Sequence, residues 1–426
     1  MTTGDRIRTA REKRGWSQIR LAKELSTARW GVEDYLGRQQ VYRWEKGGRA
    51  PKDWRPFIEQ VLDISLEINP TATIQTPDLD TVASVMQLGG TDVDRRTLLV
   101  ATAAASLAAL DLTDAEAVTR RVSKPGPVAV GAGDVSAVRI MTTTLGDAAS
   151  ELGGGHARHL AVRYLTVDVK RLLDGRYTDK TGRDLFAAAS ELVHLIGWMA
   201  RDEGDYGLSQ RYNVHAYKLA AEAGENELAA TALRALADQA IDLGHIPTAV
   251  RLAEACEQRG RKLDNPKALA YYRNTLARAL AADRDDTAAA RLLTSAQTAI
   301  ERAPARPGQS WASHYSHGRW AHESGMIHAR MGDWSAAEEH LRLALDIHGL
   351  DRKRTRAIVL ADLGHVQVRR GNTQEALTTW DEFLDIADGI QSVRITDGLT
   401  NIAARLSSLP PSGSQQELLE RVSARL

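Results

Sequence analysis

The sequence of 426 residues contains a single cysteine, Cys256, so no intrachain disulfide can form and a reducing, cytoplasmic setting is expected. Aromatic residues are few, 5% of the chain with only three Phe, while alanine is abundant. Strands favour aromatic and β-branched residues and helices favour alanine, so an all-β fold is excluded and an all-α fold expected. No apolar run approaches the roughly 18 residues needed to span a membrane, and Met1–Arg14 is too charged for a secretory leader. Net charge is also missing: 55 basic residues balance 55 acidic ones. That excludes a uniformly basic nucleic-acid coat and an acidic disordered tail, but not a local basic module.

Catalytic and metal-binding patterns are absent too. No phosphate loop or nucleophile elbow occurs. His322-Glu323 is followed by a histidine six residues after His322, not the four that a zinc protease needs. Asp283, Asp285 and Asp286 lack the glycine and closing glutamate of a calcium loop. Gly131-Ala132-Gly133 and Gly153–Gly155 follow no strand, so they are loop glycines and not dinucleotide turns. Cys256 falls on an apolar helix position and reads as a core thiol. An enzyme, a cofactor and a metal are therefore not expected.

Charge is present, but it is unevenly spread. Residues 1–62 hold 14 Lys and Arg against 8 Asp and Glu, so 14 − 8 = +6, leaving −6 on the remaining residues of the neutral chain. A basic head on a mildly acidic body confines any nucleic-acid contact to the head. Within it, Ile7, Ala10 and Arg14 share one face of a first helix that ends at Gly15. Ser17 can cap a second helix, which buries Leu21, Ala22 and Leu25. Gly37 opens a third helix, Arg38–Lys46, which Gly47 can close. Val41 and Trp44 form its inward stripe, leaving Arg38, Gln39, Tyr42, Arg43 and Lys46 outside. Pro51 breaks the chain, and Asp53 starts a fourth helix through Trp54, Ile58 and Leu62. Arg and Gln near a helix N-terminus have the two-pronged chemistry that reads guanine and adenine in a major groove, and Arg43 and Lys46 suit phosphates. Trp16, Trp44 and Trp54 read as core.

The string IRTAREKRGWSQIRLAKEL…RQQVYRWEKGGRAP resembles the helix-turn-helix of the Xre (lambda-repressor-like) family. The likeness rests on Arg11, Gly15, Ser17-Gln18, Leu21-Ala22, Val41, Trp44-Glu45, Gly47 and Pro51 and covers about 60 residues. It implies that Gln18 contacts backbone phosphate, that Arg38, Gln39 and Gln40 read bases of double-stranded DNA, and that Arg11 pairs with Glu45. The sequence departs from the family at Ser26–Tyr35, an insertion of a helical turn or more that contains Arg29 and Trp30.

Beyond the head (residues 1–68), segment 69–133 reads as a linker with one Ala-rich helix, Leu98–Leu110. Arg95-Arg96 before that helix imitates a twin-arginine export signal, but the preceding head argues against export. Residues 134–409 read as helical repeats, preceded within that range by helices near 134–152 and 156–174, and 410–426 as a capping segment. The repeat evidence is a pair of small residues twelve apart in five units: Gly197/Ser209, Ala237/Ala249, Ala277/Ala289, Gly325/Ala337 and Gly364/Ala376. Units start 40, 40, 48 and 39 residues apart, the long step holding the loop APARPGQS. This resembles the tetratricopeptide repeat with a longer period. The first helix of each unit lines a concave wall, and counting from the small residue places His194, Trp198, Arg234, Asp238, Asn274, Arg278, His322, Met326, Ala361 and His365 there, flanked by Arg201, Arg319 and Arg369. Asn can bond a peptide backbone and Arg a carboxylate.

The combined architecture resembles peptide-sensing regulators of Gram-positive bacteria, and the Arg- and Ala-rich composition resembles actinobacterial proteins. The resemblance implies a homodimeric, DNA-binding transcriptional regulator whose repeats sense a peptide or small molecule. Two other classes stay open: a constitutive repressor, and an adaptor that uses the repeats as a scaffold for a protein partner.

Overall fold

The computed structural model describes residues 3–30, 36–46, 54–62, 81–93, 128–304, 311–347 and 353–426. These residues are almost all helical, with no strand among them, and no helix among them is long and apolar enough to cross a membrane. The chain divides into two units, Met1–Asp78 and Leu79–Leu426.

The first unit contains α1 (Thr3–Lys13), α2 (Gln18–Trp30), α3 (Arg38–Glu45) and α4 (Arg55–Leu62). Ser17 Oγ accepts the Arg20 N–H at 3.1 Å, the cap expected at the start of α2. Ile7, Leu21, Leu25, Val41, Trp44 and Ile58 form the core, each at most 2% exposed. Trp44 and Trp54 pack with ring centroids 5.8 Å apart, whereas Trp16 is half-buried. One inward position differs from the sequence reading: Arg14 is exposed, and Arg11, one turn after Ile7, is buried. A buried guanidinium needs a partner, and Glu45 supplies one. The insertion begins as a continuation of α2 to Trp30. Ser26 Oγ there donates to Ala22 O and accepts the Leu36 N–H, both at 2.8 Å. Gly47, Pro51 and Asp53 lie outside the described residues.

The second unit opens with α5 (Thr81–Val93), where the sequence reading has mostly linker. The Thr- and Gly-rich composition conceals an inward face of Val82, Val85, Met86 and Leu88, all buried. Tertiary packing, not propensity, makes this a helix. The end of α5 is fastened by Asp92, which pairs with Arg158 and accepts the Tyr212 hydroxyl at 3.0 Å. The expected Ala-rich helix Leu98–Leu110 lies outside the described residues.

Next come α6 (Ala132–Leu152) and α7 (Gly154–Tyr164), the latter running through a π turn (Leu165–Val169) into α8 (Lys170–Leu173). Five helical hairpins follow: α9 (Asp179–Asp202) with α10 (Tyr206–Ala223), α11 (Asn226–Asp242) with α12 (Ile246–Gly260), α13 (Pro266–Ala282) with α14 (Asp286–Glu301), α15 (His317–Met331) with α16 (Trp334–Ile347), and α17 (Lys353–Arg369) with α18 (Thr373–Ala387). A sixth, α19 (Val393–Ser408) with α20 (Gly413–Ser423), ends the array. The first helices α9, α11, α13, α15, α17 and α19 touch in succession, while each second helix packs on its own partner. All ten small residues of the twelve-residue pairs are buried. At Gly325 an added Cβ would stand 3.1 Å from Ala337 O, which shows why one such position is glycine.

Each of the first five hairpin turns carries one left-handed residue, Gly204, Gly244, Arg284, Gly332 and Gly371 in order, with φ of 82°, 76°, 69°, 85° and 85°. The next residue caps the following helix in three of them: Asp205, Asp285 and Asp333 accept the N–H of Leu208, Ala288 and Ala336. Arg284 is the one described side-chain-bearing residue at positive φ. A left-handed L-residue costs about 1–2 kcal/mol, part of which glycine returns to the flexible unfolded chain. We therefore expect Arg284→Gly to raise the stability of the body by about 0.5–1 kcal/mol in urea unfolding; a lower midpoint would contradict this account of the turn.

The array closes on itself. Asp202, at the end of α9 and 3% exposed, accepts the Gly154 N–H at 2.9 Å, the Ser392 hydroxyl at 2.8 Å and two guanidinium N–H groups of Arg354. The neighbouring backbone bond from Gln391 N–H to Leu152 O, 2.9 Å, joins the α6–α7 turn to the segment before α19. Arg354 also lies over the Trp198 ring at 5.0 Å. Burial pulls the Arg354 pKa down against the opposing pull of Asp202.

Candidate functional site

Two surfaces carry the residues singled out from the sequence. The first is the outer face of α3, where Arg38, Gln39, Tyr42, Arg43 and Lys46 are exposed and Gln40 is half-buried. Beneath them Arg11 and Glu45 form a two-pronged pair at 2.5 and 3.2 Å, and Arg11 also donates to Trp16 O at 2.8 Å. The hydrogen bond to Glu45 holds the Arg11 pKa above its ordinary value. Gln18, given a phosphate contact by the family likeness, donates to Glu45 at 2.6 Å and accepts from Arg38 Nε at 3.4 Å. A chain of bonds, Arg11–Glu45–Gln18–Arg38, thus fixes α3 against α1 and α2 and orients the first residue of its outer face. In the insertion, Arg29 lies over the Trp54 ring at 4.5 Å.

The second surface is the inner wall built by the first helices of the hairpins. Of the residues drawn from the repeat spacing, Arg234, Asp238 and Arg278 meet one another, and several are committed to the fold. Arg234 bridges Asp238 and Glu323, each at 2.8 Å, and lies over the Tyr271 ring at 4.0 Å. Asp238 also meets Arg278 at 3.0 Å and Arg201 at 3.7 Å. Asn274, 1% exposed, donates to the Tyr315 hydroxyl at 3.1 Å and to Glu323 at 3.4 Å. Its amide nitrogen is thereby used within the wall and does not face a peptide backbone. His194 is buried, bonds Asn213 at 2.8 Å and meets Trp311 edge-on at 4.9 Å. His322 bonds Asp362 at 2.8 Å, and His365 bonds Ala361 O at 3.1 Å and meets Trp380 edge-on. Trp198 is half-buried and Met326 exposed.

Burial and charge oppose each other along this wall. Burial alone would raise the pKa of Asp238, but Arg234, Arg278 and Arg201 hold it well below the carboxylate range. Glu323 is likewise lowered by Arg234 and Arg319 against burial. Sequence spacing does not reveal Asp242, Glu323, Tyr271 and Tyr315 as wall residues, although Asp238-Asp242 and Arg319-Glu323 are visible four-residue steps. Tyr271 and Tyr315, with ring centroids 4.6 Å apart, carry no signal that separates them from core aromatics. Cys256 is a buried free thiol, as expected, and its pKa is raised by burial. Among the described residues no cluster of three metal-ligating side chains occurs.

Burial lowers the pKa of His194 and of His215 to about 4. Both are neutral in the fold, so their contribution is intact above the unfolded value of 6.5 and is lost as pH falls from there toward 4. For His194 the loss reaches about 2 kcal/mol at pH 5. Burial raises Glu191 to about 7, so its protonation favours the fold as pH falls and offsets one histidine. The urea midpoint should fall between pH 6.5 and 5, and His194→Gln should flatten that fall. A slope unchanged in the variant would remove His194 from this role.

No protein-family model matches the chain, and no curated protein does. Among solved structures, a Rap protein complexed with competence and sporulation factor is similar at 13% identity and a TM-score of 0.43, over 69% of this chain and 88% of that one.

Proposed function

We propose that the chain is a sequence-specific DNA-binding transcriptional regulator, with residues 1–68 as the DNA-binding head and the helical array of residues 134–409 as a dimerising sensor of a peptide or small molecule in the cytoplasm. The observation that carries this reading is the outer face of α3. Arg38, Gln39, Tyr42, Arg43 and Lys46 all point away from the core, on a helix fixed by the Arg11–Glu45 pair, in the most basic part of the chain. Arg38 and Gln39 offer base-edge contacts at the start of the helix, and Arg43 and Lys46 offer phosphate contacts further along. A second copy would place two heads about 34 Å apart, one turn of duplex. The sensing half of the proposal draws on the closed inner wall, whose arginines keep part of their surface in solvent.

Selection of duplexes from a random pool by the full chain tests this. The expected result is an enriched inverted repeat with half-site centres about 10 base pairs apart. Recovery of no common sequence would overturn the DNA-binding reading, and a single unrepeated half-site would overturn the dimer.

A further inference from the structure

We propose that the inner wall binds an acidic peptide, which deepens the sensing role above and rests on it. The second unit lies in the acidic part of the chain, yet in three pairs of its wall the guanidinium is the more exposed partner, while Arg234–Glu323 and Arg201–Asp242 run the other way, at 7% against 20% and 21% against 23%. Asp238 keeps 3% of its side chain exposed, Glu323 20% and Asp362 21%, whereas Arg278 keeps 30%, Arg319 42% and Arg394 43%. At Arg278, Arg319 and Arg394 the guanidinium edges are thus open to a ligand.

Two further arginines have no carboxylate within ion-pair distance among the described residues. Arg330, exposed near the end of α15, has Arg278 and Arg284 as charged neighbours, and Arg405, half-buried on α19, has Arg369. Burial and these like charges pull both pKa values down. Arg278 is itself paired with Asp238 and Asp242, at 3.0 and 2.8 Å, but Arg330 and Arg405 have no such pair, and an anion placed beside them relieves the repulsion from their cationic neighbours. Guanidinium groups match carboxylates in two-pronged geometry.

The separation of the two arginines favours a peptide over a single small anion. They belong to helices α15 and α19, with α17 between them, and Arg278 lies one helix earlier on α13. Packed helices stand about 8–10 Å apart, so the span from α13 to α19 is roughly 25–30 Å. An extended chain covers about 3.3–3.6 Å per residue, so about eight residues reach from one end to the other. Carboxylates near both ends of such a peptide would meet Arg278 and Arg330 at one end and Arg405 at the other.

The test uses the full chain and three fluorescein-labelled octapeptides, all-Glu, all-Gln and all-Lys, followed by fluorescence anisotropy. The all-Glu peptide is expected to bind at least about tenfold tighter than all-Gln, more weakly as salt rises, with all-Lys weakest. Arg330→Gln with Arg405→Gln should weaken the all-Glu peptide about tenfold, as loss of charge-assisted bonds requires, with the thermal midpoint unmoved. Because the head is also basic, Arg38→Ala with Arg43→Ala and Lys46→Ala is run alongside and should leave all-Glu binding in place. Loss of binding in that head variant, an unchanged affinity in the wall variant, or tighter binding of a labelled thymidine octanucleotide would each overturn the proposal. Preferential binding of all-Gln or all-Lys removes the acidic class but keeps peptide sensing; binding of none of the three removes the peptide itself.

Discussion

Asp202→Ala should cost the body about 3–5 kcal/mol in urea unfolding, the range for breaking a buried ion pair by deleting one partner. The carboxylate serves three groups that are distant in sequence: the first N–H of α7, the Ser392 hydroxyl and the Arg354 guanidinium. Its removal strands Arg354, itself 9% exposed, as a buried cation without a counter-charge, and leaves the other two donors unsatisfied. Gly154 bonds one carboxylate oxygen of Asp202 and Ser392 the other, so Asp202→Asn loses the charge but keeps an acceptor for one of the two, and it should fall between the alanine variant and the parent. Trp198 lies under the Arg354 guanidinium, and its fluorescence should change in the same step. An alanine variant within about 0.5 kcal/mol of the parent, the size of an ordinary surface substitution, would mean that the closure between the first and last hairpins contributes nothing to stability.

That closure is also what sequence reading could not reach. Local chemistry is legible where neighbours in the chain decide the structure: Ser17 as a cap, Val41 and Trp44 as the inward stripe of α3, and the small residues twelve apart as buried positions. Gly325 does stand against Ala337, whereas Gly197 meets Tyr212 and Asn213 and Gly364 meets Trp380. The Arg11–Glu45 pair was accessible only through the family likeness, because the partners are 34 residues apart. Arg354 and Asp202 are 152 apart, and no local pattern joins them. Three- and seven-residue spacing from Ile7 places Arg14 inward, but Arg11 lies one turn from Ile7 and has a carboxylate to meet. α5 was hidden because Thr and Gly are poor helix formers, and its apolar face matters only once it packs on α7 and α10. On the inner wall, repeat spacing picks out Arg234, Asp238 and Arg278, which pair with one another, but it cannot show that Asn274 and His194 are already bound to Tyr315 and Asn213.

Replacing Arg38, Gln39 and Gln40 together by alanine should abolish specific recognition of DNA while leaving the head folded. None of the three belongs to the core of Ile7, Leu21, Leu25, Val41, Trp44 and Ile58, so the fold has little to lose. Gln18 keeps its 2.6 Å bond to Glu45 when Arg38 is removed. Each two-pronged base contact supplies about 1–3 kcal/mol of discrimination, so loss of the set should weaken operator binding by at least about a hundredfold. Binding to an unrelated duplex, which rests on phosphate contacts from groups such as Arg43 and Lys46, should fall far less. The direct measurement is the affinity of parent and triple variant for the selected operator and for a scrambled duplex at one fixed salt concentration. The account predicts that the ratio of the two affinities collapses toward one in the variant. A ratio equal to that of the parent would contradict it.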